Sequence, residues 1–239
     1  MKKESIVSEL DGKKEARKVL AINGSPRKNA NTAILLQKAL EGAASAGAET
    51  EIVHLVDLRY RGCVSCFACK RKGTTFIGSC ALQDELTPVL EKAMQSDAII
   101  LGSPIYLANI TSLMHSFIER FGFMNISYDR KNFNSFTGKI NAAFFYTMNV
   151  SRPASALFAY IYKINSERLK RLNGRVERLV CTDTWQFDDY GKYAASNFDA
   201  AKKKRRRETV FPRDCEKAYQ IGRRIARDVP AFQGHPNFF

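Results

Sequence analysis

Four of the six cysteines in this chain lie close together in the sequence and could share one metal centre or one redox reaction. Cys63, Cys66 and Cys69 are separated by two residues each, and Cys80 follows after ten more. Two successive C-x-x-C spacings can bring three thiolates to one centre, as in ferredoxin loops, and Cys80 could supply a fourth ligand. The longer loop can still close, because the entropic cost of closure grows slowly with loop length.

Three other interpretations of this cysteine cluster stay open. Zinc also accepts four thiolates in tetrahedral geometry. Two of the thiols could form a redox-active pair, or the segment could be a plain structural loop. The spacing and the preference for thiolate favour a [4Fe–4S] cluster over zinc. Disulfides are not expected in a reducing compartment, and we expect the isolated Cys181 and Cys215 to lie in the core.

A second group of candidate residues is the run GSPRKNANT at 24–32, between a predicted strand and a predicted helix. A helix N-terminus offers free N–H groups and a partial positive charge, which suit a phosphate. Ser25 and Thr32 add hydroxyl groups, Arg27 a guanidinium and Asn31 an amide. Neither G-x-x-x-x-G-K-[S/T] nor G-x-G-x-x-G occurs, so we expect a single terminal phosphate. An ordinary polar turn is the alternative.

Two further predicted strands end in residues suited to a flat ring with a polar edge. One ends in GSPIYLAN at 102–109, where Ser103-Pro104 is expected to break the strand and Tyr106 to lie at the edge of the sheet. The other ends in YTMN at 146–149. Packing in the core could explain Tyr106 alone, but it does not explain three such loops together.

Alternating strands and helices must position these loops, which predicts an α/β fold with a parallel sheet covered on both faces. With five strands we expect a flavodoxin-like, doubly wound sheet of order 2-1-3-4-5 in a three-layer sandwich, with ligands bound beyond the carboxyl ends of the strands. The strands are predicted at 18–23, 50–56, 98–102, 140–147 and 176–181, and the helices at 32–46, 84–95, 110–121, 154–172 and 215–229.

The chain is expected to contain an N-terminal extension at 1–17 and a ligand-binding domain at 18–182, which includes a cysteine-rich loop at 57–83. Residues 183–239 are expected to form a C-terminal extension with a helix that packs on the same domain. The segments 122–139 and 183–213 are long for loops, which suggests a role in function, oligomer contacts or disorder. The charged N-terminus has no apolar h-region and no run is long enough to span a bilayer, so we expect a cytoplasmic protein.

The net charge is +14, and much of it comes from the run KKKRRR at 202–207. This run predicts either a solvated loop or helix face, or an attractive field for an acidic partner. Nucleic acid is not expected to be that partner, because no helix-turn-helix or RNP signature is present. No Ser-His-Asp arrangement supports hydrolase chemistry.

The runs GSPRKNANT and SPIY, with the cysteine-rich loop between them, resemble the NADPH-dependent FMN reductase and iron–sulfur flavoprotein group of the flavodoxin-like superfamily. The resemblance covers residues 18 to about 150. It implies that the FMN phosphate is held by Ser25, Arg27, Asn31 and Thr32, that the isoalloxazine is flanked by Pro104, Ile105, Tyr106, Leu107 and Asn109, and that the ring edge is met by Thr147, Met148 and Asn149. It also implies a cluster on the four cysteines, although the gap before Cys80 is longer than in those relatives.

These observations predict an FMN-dependent oxidoreductase, with or without a [4Fe–4S] cluster that relays electrons to the flavin. A cluster-free NAD(P)H-dependent FMN or quinone reductase, or a non-catalytic electron carrier or redox sensor, are the alternatives. No general acid or base is needed for hydride transfer to flavin. We expect a small-molecule electron acceptor, an acidic electron-carrier protein as a partner, and a homo-dimer or homo-tetramer in which the aromatic segment 185–190 could cover a neighbouring subunit's flavin.

Overall fold

The structure is a computed structural model that describes residues 16–131 and 133–227. Most of the predicted N-terminal extension and the end of the predicted last helix therefore lie outside the described residues. In chain order the elements are β1 (Lys18–Asn23), α1 (Asn31–Ala44), β2 (Glu49–His54), α2 (Thr87–Met94), β3 (Ala98–Tyr106), β4 (Asn109–Ile110), α3 (Ser112–Met124), β5 (Ile140–Thr147), α4 (Ala159–Lys170), β6 (Asn173–Cys181), α5 (Ala200–Thr209) and α6 (Phe211–Arg227).

Five parallel strands form the main sheet in the order β2-β1-β3-β5-β6. The two-residue β4 pairs antiparallel with β3 and stands outside this order. When β4 is left out of the numbering, the order is the predicted 2-1-3-4-5, so the doubly wound, flavodoxin-like sheet is confirmed. β1 and β3 lie side by side at the centre, and the chain leaves them in opposite directions across the sheet. Their carboxyl ends form the switch point at which such folds bind ligands.

Side chains along β1 alternate between two cores. Val19 and Ala21 pack with residues of α1 and α6 on one face of the sheet. Leu20 and Ile22 pack with residues of α2, α3 and α4 on the other face. Successive side chains of a strand point to opposite faces of the sheet. A strand with apolar side chains on both faces must therefore be covered on both faces. The structure therefore has the predicted three layers, with helices on both faces of the sheet.

Helices α1 and α6 approach each other closely at two glycines. A Cβ atom added to Gly222 would lie 1.8 Å from the carbonyl oxygen of Ala39, and one added to Gly42 would lie 2.0 Å from that of Tyr219. Only glycine allows the two backbones to come so near. This contact fixes α6, at the end of the described chain, against the helix that carries part of the candidate site.

The prediction that Ser103-Pro104 breaks the third strand was wrong. β3 continues to Tyr106, and Pro104 pairs with Thr147 of β5. The neighbouring strand on the other side, β1, ends at Asn23 opposite Gly102, and β4 pairs with β3 only at Ile105 and Tyr106, so Pro104 has no second strand partner. Proline is tolerated where its missing N–H would face an edge and not a ladder.

The predicted loop at 183–213 contains a helix, α5, which holds the whole basic run. Asp199 caps it by accepting a hydrogen bond from the backbone N–H of Lys202 at 2.9 Å. The predicted helix at 154–172 is divided into a 3₁₀ turn, Ala154–Phe158, and α4. None of the helices in the described ranges has the length and apolar character that a bilayer crossing needs.

Candidate functional site

The loop between β1 and α1 exposes a helix N-terminus without a side-chain cap. Ala30 occupies the N-cap position, and its methyl group cannot accept a hydrogen bond from the first turn. The buried Ser25 shapes the loop, because its backbone N–H donates to Asn23 Oδ1 at 3.0 Å and its Oγ accepts from the Arg27 N–H at 3.1 Å. The N–H groups at the start of α1 therefore remain available to an anion.

One cleft at the carboxyl ends of the strands brings most of the predicted residues together. Its empty volume, which includes space open to solvent, is about 570 Å³. Ten of the twelve predicted cofactor-binding residues line it, namely Ser25, Arg27, Asn31, Thr32, Pro104, Ile105, Tyr106, Thr147, Met148 and Asn149. A hydrogen bond of 2.8 Å between the hydroxyls of Thr32 and Thr147 joins two of its walls.

The other two predicted residues, Leu107 and Asn109, do not line this cleft. Leu107 lies in the tight turn between β3 and β4 and is fully exposed, and Asn109 is the first residue of β4. The side chain of Asn109 accepts a hydrogen bond from the backbone N–H of Ile110 at 2.8 Å. Their role beside a ring stays a prediction from the resemblance.

A segment that the sequence did not predict to line the cleft of its own chain forms the remaining wall of the cleft. Thr184, Trp185 and Gln186 line it. Arg27 Nη1 donates to the carbonyl oxygen of Gln186 at 2.6 Å, and Asn31 Nδ2 donates to that of Trp185 at 2.7 Å. Residues 184–186 therefore line the cleft of their own chain, whereas the sequence suggested that the segment 185–190 covers the flavin of a neighbouring subunit. Its unexplained WQF sequence was the one available signal.

Half of the basic run at 202–207 faces this wall of the cleft. The interpretation of the run as a solvated helix face is therefore corrected. Lys203 is only 5% exposed, and its ammonium group contacts the carboxylate of Asp183 and the side-chain oxygen of Asn149. Arg207 Nη1 donates to Asn31 Oδ1 at 2.9 Å. A lysine remains buried only when it is paired in this way. The exposed members of the run are Lys202, Lys204 and Arg205.

The four clustered cysteines line a second, smaller pocket. Cys66 is exposed, Cys69 is buried, Cys63 and Cys80 are partly buried, and all carry free thiols. Burial raises the pKa of Cys69, and the neighbouring Lys70 only partly offsets it. Across the described ranges, no three metal-binding side chains are near enough to each other to hold an ion. The thiols thus share one pocket without forming a preassembled metal site, and binding would have to draw them together.

Arg120 of α3 supplies a buried positive charge to the cysteine pocket. Burial alone would lower the pKa of its guanidinium, but hydrogen bonds with Asp84 and Cys80 raise it. Its Nε atom is buried and has no hydrogen-bond partner within the described parts of the chain. A buried donor without a partner is costly, and an anionic group in the pocket would remove that cost.

Comparison with known proteins gives a family match and several relatives. The sequence profile described as NADPH-dependent FMN reductase matches residues 17–161. An iron–sulfur flavoprotein of Archaeoglobus fulgidus is 41% identical over 103 residues, which are 43% of this chain and 48% of that protein. An iron–sulfur flavoprotein of Methanocaldococcus jannaschii is 34% identical over 115 residues, which are 48% of this chain and 57% of that protein. The matches span about half the length of these relatives.

Among solved structures, an NAD(P)H:quinone oxidoreductase from Methanothermobacter marburgensis is similar to this chain with a TM-score of 0.62. The alignment covers 88% of this chain and 98% of that one, at 11% sequence identity. At so low an identity the likeness concerns the fold alone. It extends past the stretch that the family profile matches and includes residues of the C-terminal segment.

Proposed function

The chain belongs to the NADPH-dependent FMN reductase family, and from this premise we propose that it is an FMN-dependent oxidoreductase. The observation that carries the proposal is the convergence of three strand-end loops on one cleft beside the uncapped N-terminus of α1. The residues present fit the cofactor: a helix N-terminus and a guanidinium suit its phosphate, and a wall of apolar and amide groups suits its ring. Bound FMN would supply the transfer of hydride or single electrons.

Residues of the chain would bind and orient this cofactor and would not take part in bond breaking. Arg27 and the first turn of α1 would neutralise the phosphate. Ile105 and Tyr106 would give the ring an apolar wall, and Asn149 would hydrogen bond to its edge. Arg27 would exchange its present bond to the Gln186 carbonyl for one to the phosphate.

We also propose that residues after 182 belong to the same domain, since α6 packs on α1 and the segment 184–186 lines the cleft.

A titration with FMN tests the proposal directly, because Trp185 is the single tryptophan and lines the cleft. Binding should quench its fluorescence as well as that of the flavin. Riboflavin, which lacks the phosphate, should bind more weakly. Arg27→Ala should weaken FMN binding about tenfold, since a charge-assisted hydrogen bond is lost. The neighbouring Lys28→Ala is the matched control, because Lys28 pairs with the exposed Asp57. Wild-type protein that does not bind FMN would refute the proposal.

The finer part of the proposal is a [4Fe–4S] cluster on Cys63, Cys66, Cys69 and Cys80, which would pass electrons between an external carrier and FMN. Three observations support it: the four thiols share a pocket, a buried guanidinium faces them, and two relatives are named iron–sulfur flavoproteins. The positive charge would stabilise an anionic thiolate cluster. An acidic electron-carrier protein would suit the basic surface of the chain.

Anaerobic purification with iron and sulfide assays tests the cluster. We expect about four iron and four sulfide per chain, with broad absorption beyond the flavin bands. Cys66→Ser should lower the iron content, whereas Cys215→Ser, which lies outside the pocket, should not. Flavin bands without iron or sulfide would contradict the cluster, and zinc in its place would favour a structural site.

A cluster-free reductase that takes hydride from NAD(P)H is the second candidate function, and the match to the NADPH-dependent FMN reductase profile favours it. Stopped-flow reduction of the FMN-loaded protein by NADH or NADPH tests it, with a quinone or free flavin as acceptor. Rapid bleaching of the flavin by either nucleotide would support this route. Reduction of the flavin by an electron-carrier protein but by neither nucleotide would exclude this route. If no donor supports turnover, a non-catalytic carrier or sensor is favoured.

A further inference from the structure

Two cations of α5 reach the candidate FMN site from outside the stretch that the family profile matches. Lys203 and Arg207 are one helical turn apart and lie on the same face of the helix. Each contacts the side-chain oxygen of an asparagine that lines the cleft. The intervening Lys204 and Arg205 are exposed, so the inward contacts are specific to one face and not a general property of the basic run.

The contact between Arg207 and Asn31 determines how the asparagine amide is turned. A guanidinium can only donate hydrogen bonds, so the atom of Asn31 that meets it at 2.9 Å must be the oxygen Oδ1. The amide nitrogen then lies on the other side, where Nδ2 donates to the carbonyl oxygen of Trp185 at 2.7 Å. Asn31 therefore presents its N–H groups, and not its oxygen, on the side of Trp185, which lines the cleft.

Lys203 has the same effect on Asn149. Its ammonium group donates to the side-chain oxygen of Asn149 and, at 3.1 Å, to the backbone oxygen of the same residue. The amide nitrogen of Asn149 donates to Gln186 Oε1 at 2.7 Å. An amide nitrogen carries two hydrogens, so one donor remains for a ligand. Asp183 contacts the ammonium group as well and compensates its buried charge.

We infer that these two cations of α5 are positioning residues of the cofactor site, an inference that rests on the proposed FMN binding. Arg207 fixes the amide of Asn31 as an N–H donor towards the FMN phosphate. Lys203 fixes the amide of Asn149 as an N–H donor towards an acceptor atom at the edge of the ring. Without the cations either amide could rotate and present an oxygen, which would repel the phosphate or a ring carbonyl.

The two positions are expected to differ in what they affect, which separates this role from a merely structural one. Arg207→Met should weaken FMN binding about tenfold and leave riboflavin binding nearly unchanged, because only FMN carries the phosphate. Lys203→Met should weaken both flavins to a similar degree and shift the midpoint potential of the bound flavin, because its target is the ring edge. A general loss of structure would weaken both ligands in both variants.

Titrations of Trp185 fluorescence with FMN and with riboflavin test the inference, together with a redox titration of the FMN-loaded proteins. Arg205→Met and Lys204→Met are matched controls from the exposed face of α5 and should equal the wild type. Arg207→Lys and Lys203→Arg keep a cationic donor and should restore most of the affinity. If a methionine variant does not fold, these conservative variants test the inference instead. Their FMN affinities are compared with those of folded Asn31→Ala and Asn149→Ala variants. The inference is overturned if neither conservative variant binds FMN more tightly than these.

The outcomes distinguish this inference from the proposed function. Wild-type protein without affinity for FMN would refute the proposed function itself. If the wild type binds FMN and the Lys203 and Arg207 variants match their exposed-face controls, only the inference is refuted. The inference is also refuted if Arg207→Met weakens the binding of riboflavin as much as the binding of FMN.

Discussion

The buried Arg120 and the partly buried Asp84 form an ion pair at the wall of the cysteine pocket. Nη1 of Arg120 donates to the two carboxylate oxygens at 2.6 and 2.7 Å, and Nη2 donates to the carbonyl oxygen of Leu82 at 2.9 Å. Asp84 Oδ1 also accepts from the backbone N–H of Leu86 at 3.1 Å. The pair therefore joins α3 to the segment that leads from Cys80 into α2.

Loss of the arginine alone should destabilise the protein strongly. Arg120→Met leaves the carboxylate of Asp84 without its partner, and we expect the free energy of unfolding to fall by about 3–5 kcal/mol. The double variant Arg120→Met/Asp84→Asn removes the charge as well and should recover part of that loss. Urea unfolding of the two variants measures the difference. Equal losses would show that the unpaired carboxylate of Asp84 costs little, and the exposed Arg213→Met should change stability by less than about 0.5 kcal/mol.

The glycine contact between α1 and α6 should tolerate no added methyl group. Gly222→Ala would force the Cβ atom against the backbone oxygen of Ala39, which cannot move aside without displacing a helix. We expect a loss of about 3 kcal/mol or more in the free energy of unfolding. Gly122→Ala in α3 is the matched control, because open space surrounds that position. It should be neutral or stabilising by up to about 1 kcal/mol, since alanine favours helices. Similar effects at both positions would contradict this packing.

The sheet order and most of the cleft could be predicted from the sequence because their signals are local. β1 and β5 are continuous apolar runs, as strands covered on both faces must be. Polar residues follow directly after their ends, and parallel strands bring such ends to one edge. The residues at 24–32 and 147–149 could therefore be associated without any contact being known.

The fourth wall of the cleft could not be predicted, because its contacts leave little trace in the sequence. Arg27 and Asn31 meet the segment 185–186 through its backbone carbonyls, which every residue type possesses. The inward face of α5 was hidden for a related reason. Six consecutive cations show no periodicity, so nothing marks Lys203 as the member that Asp183 and Asn149 would bury.

Thiol reactivity should follow burial, with Cys66 and Cys181 at opposite extremes. Cys66 is exposed, whereas Cys181 is 1% exposed and its thiol donates to the carboxylate of Asp214 at 3.3 Å. Burial, with a contribution from that carboxylate, raises the pKa of Cys181 and suppresses the reactive thiolate. In metal-free protein at pH 8 we expect iodoacetamide to label Cys66 first and Cys181 last, as read by peptide mass spectrometry. Early labelling of Cys181 would contradict this burial.

Anaerobic reconstitution with iron and sulfide extends the thiol experiment to the proposed cluster. Ligation should protect Cys63, Cys66, Cys69 and Cys80 together, because a thiolate bound to iron does not react readily with the reagent. Cys215, which is partly buried and outside the pocket, is the internal control and should label at the same rate before and after reconstitution. Protection of fewer than four thiols would argue for a different ligand set.

The turn between β3 and β4 has left-handed backbone at two residues that are not glycine. Leu107 has a φ of 45° and Ala108 a φ of 62°. This conformation costs an L-residue about 1–2 kcal/mol, and two-residue hairpin turns of this kind prefer Asn-Gly. The variant Leu107→Asn/Ala108→Gly should therefore raise the free energy of unfolding of the FMN-free protein by about 1–2 kcal/mol.

The same variant tests whether the strained turn serves the cofactor. Strain of this kind is commonly kept where the residue has a function, and the resemblance implies that Leu107 flanks the isoalloxazine. We therefore expect the stabilised protein to bind FMN several-fold more weakly, in a titration of Trp185 fluorescence. Leu157→Asn, which replaces another exposed leucine away from the cleft, should leave the dissociation constant unchanged. Stabilisation with unaltered FMN affinity would remove Leu107 from the cofactor site, because the strain would then serve no contact with the ring.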